Sequence, residues 1–309
     1  MGFKTLVVVN PNSRNKATGK LWPEISKELE KHLDRFEYVF TSRQGHATDL
    51  TRHGIRDGYE MIVSVGGDGT NNEVVNGFFE NGEAINPEAV FSSISMGTGG
   101  DLRRTLGTPA GYRDGAPILA GDATRRIDVG HMTITDHSGA PVDRCFLNIT
   151  SFGIGGEVDA RVNATTKVFG GFTSFMWGAL GAMIGYKNKT VRLTIDDRVL
   201  EEQPVFNVAV ANGQYHGGGM HVAPYAKMDD GLFDIVVIGN LTWGERIREM
   251  GKIYTGAHVH HKKVEYCTAR KVIAESSETV LLDVDGEAPG KLPATFEILP
   301  SALRVKISG

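Results

Sequence analysis

The sequence predicts an α/β domain with a largely parallel sheet, followed by a mostly β, sandwich-like second domain. Three observations carry that reading. Up to about residue 127, apolar strand-like runs alternate with helical ones, the pattern of layered α/β folds. Four turns at the ends of those strands are rich in Gly, Ser, Thr or Asn. From Asp128 onward, strand-like runs succeed one another with only turns between most of them.

The elements follow in order. "KTLVVVN" reads as a buried strand and "LWPEISKELEKHL" as an amphipathic helix. "FEYVFTS" is a strand and "ATDLTRHGIRDG" a helix. "MIVSV" is a strand, and the spacing of Val74, Val75, Phe78 and Phe79 predicts a helix beginning near Asn71, capped by Thr70 or Asn71. "AVFSSISM" is a further strand and "DLRRTLG" a short helix. In the second region, "RRIDVGHMTI", "RCFLNITSFG", "KTVRLTIDD", "PVFNVAVANG", "GLFDIVVIG", "KVIAESS", "TVLLDVDGE" and "ALRVKIS" read as strands. Two stretches there read as helices, "FTSFMWGALGAMIG" and "LTWGERIREMGKIYTG". The uncharged run Val168–Tyr186 is long enough to span a bilayer. Its five glycines argue instead for a buried or groove-lining helix.

The 309 residues carry 33 Lys and Arg against 37 Asp and Glu, a net charge of −4, which gives no reason to expect nucleic-acid binding. Cys145 and Cys267 are far apart and lack metal-ligand spacing, so they read as buried free thiols in a reducing cytosol. "MGFKTLVVVNPNS" runs straight into a strand, with no signal-peptide pattern.

The stretch "SVGGDGTNNEVVNG" poses a chemical conflict. Strand, glycine turn and helix start together make an anion site, because the amides at a helix start point outward unpaired. Asp68 in that turn would repel a bare phosphate. A cation or a hydroxyl between the two removes the conflict. No G-x-x-x-x-G-K-[ST] and no kinase H-R-D or D-F-G set is present. What occurs instead is an ordered combination: "NPNS", "GGDGTNNE", "MGTGGDLRR", "GGGMHVAPYAKMDDGLFD" and "DVDGE".

That combination resembles the diacylglycerol kinase catalytic-domain superfamily, in particular its soluble bacterial lipid kinases. The resemblance implies an NAD kinase/phosphofructokinase-like fold. It implies a nucleotide-binding domain over residues 1–127 and a β-rich lipid-substrate domain over 128–292, with a last strand, about 293–309, returning to the first. It also implies ATP as co-substrate and Mg²⁺. By the same resemblance, Asn10, Pro11 and Asn12 lie in the first nucleotide loop and Thr41 ends a strand beside the nucleotide. Gly66, Gly67, Asp68, Gly69, Thr70, Asn71 and Asn72 wrap the phosphates, and Thr98 adds a hydroxyl. Asp68 faces magnesium, directly or through water. Glu287 is the catalytic base, with Asp285 assisting or orienting. The carboxylate of Asp230 and the carbonyls of Lys227 and Leu232 are the ligands of a structural Mg²⁺.

One departure stands out. The family usually shows "GTxND" where this chain reads "GTGGD", so Gly100 loses an amide side chain and leaves the backbone looser. Arg103 and Arg104 follow, facing a phosphate or solvent. "HVHHKK" reads as a solvated basic face, and His216 and His221, flanking "GGGM", receive no role. The expected activity is an ATP-dependent transfer of phosphate to a lipid hydroxyl, most simply that of diacylglycerol. The acceptor would arrive from a membrane surface along the apolar face near Phe172 to Ile184. That implies a cytoplasmic, peripherally associated protein without a transmembrane segment, and leaves a homodimer open. The rivals are a kinase with a soluble acceptor, of NAD-kinase type, and a non-catalytic lipid or nucleotide sensor.

Overall fold

Leu6 and Val8 face one way from the first strand, Val7 and Val9 the other, and all four are buried. A strand covered on both faces needs helices on both, and the structure supplies them. It is a computed structural model that describes residues 2–97, 99–158 and 185–307. Val7, Val9, Met61, Val63 and Val65 pack with Trp22, Ile25 and Leu29 of one helix. Leu6, Val8 and Ile62 pack on the opposite face with Ala47, Ile55, Val74 and Val75 of two others.

The order in this half is β1 Thr5–Val9, α1 Ser13–Leu29, β2 Phe36–Phe40, α2 His46–Arg56, β3 Met61–Gly66, α3 Asp68–Asn76, a small hairpin of β4 Phe79–Glu80 and β5 Glu83–Ala84, then β6 Val90–Ser95 and α4 Asp101–Leu106. β2, β1, β3 and β6 pair in parallel in that spatial order. Their C-terminal ends therefore share one edge, where ligands bind in such sheets.

The second half runs β7 Thr124–Asp136, β8 Pro141–Phe146, β9 Ile149–Gly153, β10 Lys189–Ile195, β11 Arg198–Val199, β12 Gln203–Val205, β13 Asn207–Ala211, β14 Tyr215–His216, β15 Met220–His221, β16 Phe233–Ile238, the helix Trp243–Glu249, β17 Val264–Ala269, β18 Lys271–Glu275, β19 Leu282–Val284 and β20 Gly290–Lys306. β20 joins the two halves. Its early residues pair antiparallel with β18, while Arg304 and Val305 pair in parallel with β6. Among the described residues, the parallel and antiparallel strands thus form one eleven-stranded sheet. The register of β20 against β7 shifts between Lys291 and Ala294 and again between Leu299 and Leu303. Pro293 and Pro300 occupy those irregularities, because proline has no amide for the ladder.

A second sheet, β17-β16-β13-β9-β19, packs across the antiparallel part. Phe146 stacks on Phe233 and Phe152 on Phe296, with ring centroids 5.6 and 6.0 Å apart. This is the β sandwich that the later strand runs predict.

Two expectations change. "RCFLNITSFG" is not one strand: β8 ends at Phe146 and β9 begins at Ile149, in the other sheet. Cys267 is only half-buried; both thiols are free, as expected. The run from Phe172 to Ile184 lies outside the described residues. No helix among the described residues is long and apolar enough to cross a membrane.

Candidate active site

Three turns meet at the shared strand edge. The Asn10 amide donates to the Val65 carbonyl at 3.0 Å, and Asn10 Nδ2 donates to Thr70 Oγ1 at 2.9 Å. Asn10 Oδ1 accepts from the Asn12 amide at 3.0 Å. The loop after β1 is thereby tied to the start of α3. That helix begins at Asp68, with Gly67 as its N-cap, and not near Asn71. Thr70 and Asn71 therefore do not cap it. Their side chains are engaged elsewhere, Thr70 with Asn10 and Asn71 Oδ1 with Ser93 Oγ at 2.8 Å. The turns after β3 and β6 touch backbone to backbone: a Cβ on Gly97 would lie 2.7 Å from Gly67 Cα. Only glycine permits that approach.

Asp68 holds the third turn. Its Oδ2 accepts from the amides of Gly100 at 2.8 Å and Asp101 at 3.3 Å, and its Oδ1 from Leu102 at 3.3 Å. The acid in the phosphate-like turn thus sits on the free amides that open α4. Gly100 stands in the left-handed region, φ 66°, which glycine and asparagine enter at least cost. A Cβ there would lie 2.7 Å from Arg103 Nε, so the family's usual Asn would require that side chain to move. Burial raises the Asp68 pKa, repulsion from Asp101 adds to that, and the three amides pull it back. Asp101 bonds Arg104 through Oδ1 at 2.8 Å and the Gly218 amide through Oδ2 at 2.7 Å. Arg104 is therefore engaged with a carboxylate.

The second half contributes a tight turn. The amides and carbonyls of Val284 and Glu287 bond each other at 2.7 and 2.9 Å. Asp285 and Gly286 between them both have positive φ, 47° and 89°. This is the Asp-Gly pattern of a two-residue hairpin; Gly286 at its tip is exposed, while Asp285 and Glu287 are half-buried and line a cavity. The Asp285 carboxylate is enclosed. Its Oδ2 accepts from Asn72 Nδ2 at 2.9 Å and the Leu147 amide at 3.0 Å, and its Oδ1 from the Asn148 and Ile149 amides at 3.1 and 3.0 Å. Those three amides belong to the break between β8 and β9. One carboxylate therefore satisfies the backbone where the chain changes sheets, and joins it to α3. Burial raises the Asp285 pKa against these bonds.

Glu287 remains available. Its Oε1 lies 3.4 Å from the position of a Cβ on Gly69, and its Oε2 accepts from Arg144 Nη1 at 3.4 Å. Burial raises its pKa; Arg144 opposes that, and Glu73 and Asp285 reinforce it.

These groups line a cavity of about 880 Å³. The predicted residues from Gly67 to Asn72 face it, as do Asn10, Asn12, Asp285 and Glu287. Pro11, Thr41 and Gly66 do not line it: Gly66 is the last residue of β3, and the Thr41 amide donates to the Val9 carbonyl at 2.9 Å. Thr98 lies outside the described residues. Lys227, Asp230 and Leu232 are elsewhere, on a loop held by buried Asp128, whose Oδ2 accepts from the Gly231 amide at 2.7 Å. From the glycine turns the cavity continues into an apolar chamber whose wall includes Phe206, Ile238, Leu241, Ile253 and Val264.

The sequence reading missed Asp283 and His216. Both line the cavity, and His216 Nε2 bonds the buried Asp283 carboxylate. A signal was present: Leu282 and Val284 are core residues, so strand alternation sends Asp283 to the opposite side, toward Asp285. Asp101 and Arg144 were also missed, since nothing local marks their partners. His221 stacks on Tyr215 instead of lining the cavity, and His258 of "HVHHKK" is buried rather than solvated.

The sequence of this chain matches two family models, the Diacylglycerol kinase catalytic domain over residues 4–132 and the YegS C-terminal NAD kinase beta sandwich-like domain over residues 148–307. The chain belongs to the diacylglycerol kinase superfamily. It is a kinase of a lipid kinase family. A diacylglycerol kinase of Staphylococcus carnosus (strain TM300) is 29% identical over 310 residues, covering 99% of this chain and 95% of that one. A crystal structure from Bacillus anthracis str. Sterne, of a protein provisionally assigned as a diacylglycerol kinase, superposes with TM-score 0.76 at 25% identity, covering 98% of this chain and 96% of that one. An Archaeoglobus fulgidus NAD kinase solved in complex with ATP shares the fold, with TM-score 0.50 at 15% identity, covering 98% and 94%. The NAD kinase-like fold expected for the superfamily is the fold observed.

Proposed function

We propose that this protein transfers the γ-phosphoryl group of ATP to the hydroxyl of a membrane lipid, diacylglycerol or a close relative. The observation that carries this is the continuity of the cavity. One end is made of glycine turns and carboxylates, and the other is an apolar chamber suited to acyl chain. A soluble acceptor of NAD-kinase type would leave that chamber without an occupant.

In this reading the ATP phosphates rest on the turns at Asn10–Asn12 and Gly67–Asn72, where the first amides of α3 face the cavity. Asp68 presents a carboxylate at the cavity wall, a hard oxygen donor that would hold a cation directly or through water. Mg²⁺ bound there would neutralise phosphate charge. Glu287 accepts the proton of the lipid hydroxyl. The oxygen attacks the γ-phosphorus as the bond to the β-phosphate oxygen breaks, giving phospholipid and ADP. Asp285 and Asn72 fix the turn that carries Glu287. The test is labelled ATP with a panel of lipids in mixed micelles and NAD beside them. Label is expected in diacylglycerol; label in NAD and in no lipid would refute the reading.

We also propose a structural Mg²⁺ on the Asp230 carboxylate with the Lys227 and Leu232 carbonyls. Among the described residues no three His, Cys, Asp or Glu side chains converge as a metal site, so an ion here relies on backbone oxygens. Asp229 and Asp230 add to the burial that raises the Asp128 pKa, a local excess of negative charge. Magnesium is expected to raise the melting midpoint of the wild type by roughly 2–4 °C and to leave Asp230→Ala unmoved. Equal shifts in both proteins would remove the ion from this loop.

A further inference from the structure

The apolar chamber is roofed by the helix Trp243–Glu249 and the 3-10 turn Met250–Tyr254 that follows it. Arg246, Glu249 and Ile253 face inward and line the cavity. The opposite side of the same segment is apolar and exposed: Trp243 is 58% exposed, Ile247 50% and Tyr254 45%. Trp243 and Ile247 lie one helical turn apart, on the same face. Tyr254 is both exposed and part of the cavity wall, so it marks the rim. An outward apolar face beside the mouth of a chamber is not explained by folding, since burying it would be favourable.

The charges around it are mostly positive. From Leu241 to Lys263 there are five Arg and Lys against two Glu, with three histidines, in a chain of net charge −4. Glu249 is buried at the roof and pins Arg248 at 3.2 Å and Lys252 at 2.9 Å, holding both exposed cations beside the apolar face. Lys262 and His260 are exposed nearby in sequence. Aromatic and aliphatic side chains bordered by cations form the pattern of a surface that settles at the headgroup level of an anionic bilayer.

We propose that this face docks on an anionic lipid bilayer, with Trp243, Ile247 and Tyr254 among the headgroups and Arg248, Lys252 and Lys262 over the phosphates. The inference rests on the lipid-kinase reading and extends it by naming the route. With the rim seated on the membrane, an acceptor passes from bilayer to chamber without exposing its chains to water, which is the unfavourable step.

The test is sedimentation with vesicles of phosphatidylcholine and of phosphatidylcholine with phosphatidylglycerol, without ATP. The wild type is expected on the anionic vesicles, less so at high salt. The double variant Trp243→Glu/Ile247→Glu and the double variant Lys252→Gln/Lys262→Glu, in which glutamine keeps a donor for Glu249, should each bind at least about tenfold more weakly, with melting curves close to that of the wild type. Brominated phosphatidylglycerol should quench fluorescence less in Trp243→Phe than in the wild type. Phosphorylation of long-chain diacylglycerol in vesicles should fall with binding, while that of a monomeric short-chain diacylglycerol stays at the wild-type rate. Undiminished vesicle binding by both double variants overturns the proposal. So does a wild-type dimer that Trp243→Glu/Ile247→Glu converts to a monomer with vesicle binding intact, which would make the face a contact between copies. Because binding is read without ATP, it decides docking separately from the kinase reading, which the short-chain assay decides.

Discussion

Replacing Glu287 with glutamine is expected to lower turnover by roughly 10²–10⁴-fold, the usual worth of a general base, while ATP binding keeps its wild-type strength. The reason is positional. The carboxylate comes from the second half of the chain and reaches the cavity over Gly69. Glutamine preserves shape and removes the proton acceptor. Arg144 keeps contact with solvent, its side chain 34% exposed, so losing its partner does not strand a buried charge. The pH profile supplies a second readout. Burial holds the Glu287 pKa above the ordinary carboxylate value. The base form is therefore lost as pH falls through that raised pKa, and activity has an acidic limb there. Arg144 lowers the pKa, so Arg144→Gln should move the limb to higher pH. The decisive measurement is ATP binding beside single-turnover lipid phosphorylation. Parallel loss of both would place Glu287 at the nucleotide; full activity would return the turn to a purely structural role.

Asp68→Ala is expected to reduce phosphoryl transfer by roughly 10³-fold or more, the scale of a lost preorganised electrostatic element. It should also destabilise the fold by about 1–3 kcal/mol, because the amides of Gly100, Asp101 and Leu102 lose their acceptor. Asp68→Asn separates the two roles. Its oxygen still accepts from part of that turn, so much of the stability returns, but the charge that would face a cation is gone. Activity of Asp68→Asn near the wild-type level across a magnesium titration would sink the metal-facing role and leave capping alone. Low activity with restored stability would support it. The comparison needs a urea midpoint and a rate for each variant.

The layered half of the fold was legible because periodicity is a local property. "KTLVVVN" and "MIVSV" announce buried strands by unbroken apolar runs, and each is followed by its turn. The β character of the second half was legible for the same reason. The joining of both into one sheet was not. It depends on β20, which pairs with β18 at one end and β6 at the other, and a strand's sequence does not state its neighbours. The helix after "GGDG" was placed three residues late, because its first turn carries polar residues that serve other loops.

Among the site residues, the sequence by itself pointed to Asp68 in its turn and to Asp285 and Glu287 around Gly286, three acids that the structure brings to one cavity. Tertiary structure decided what each one touches. Asp68 meets the amides of residues 100–102, Asp285 those of residues 147–149, Asp283 the imidazole of His216, and Glu287 the guanidinium of Arg144. Six of these partners are backbone amides, which every residue except proline carries, so no residue type in the sequence could mark them. The physical reason is the same throughout: spacing along the chain reports contacts within a helix or strand, whereas a buried carboxylate takes whichever donors the packed fold brings within about 3 Å of it.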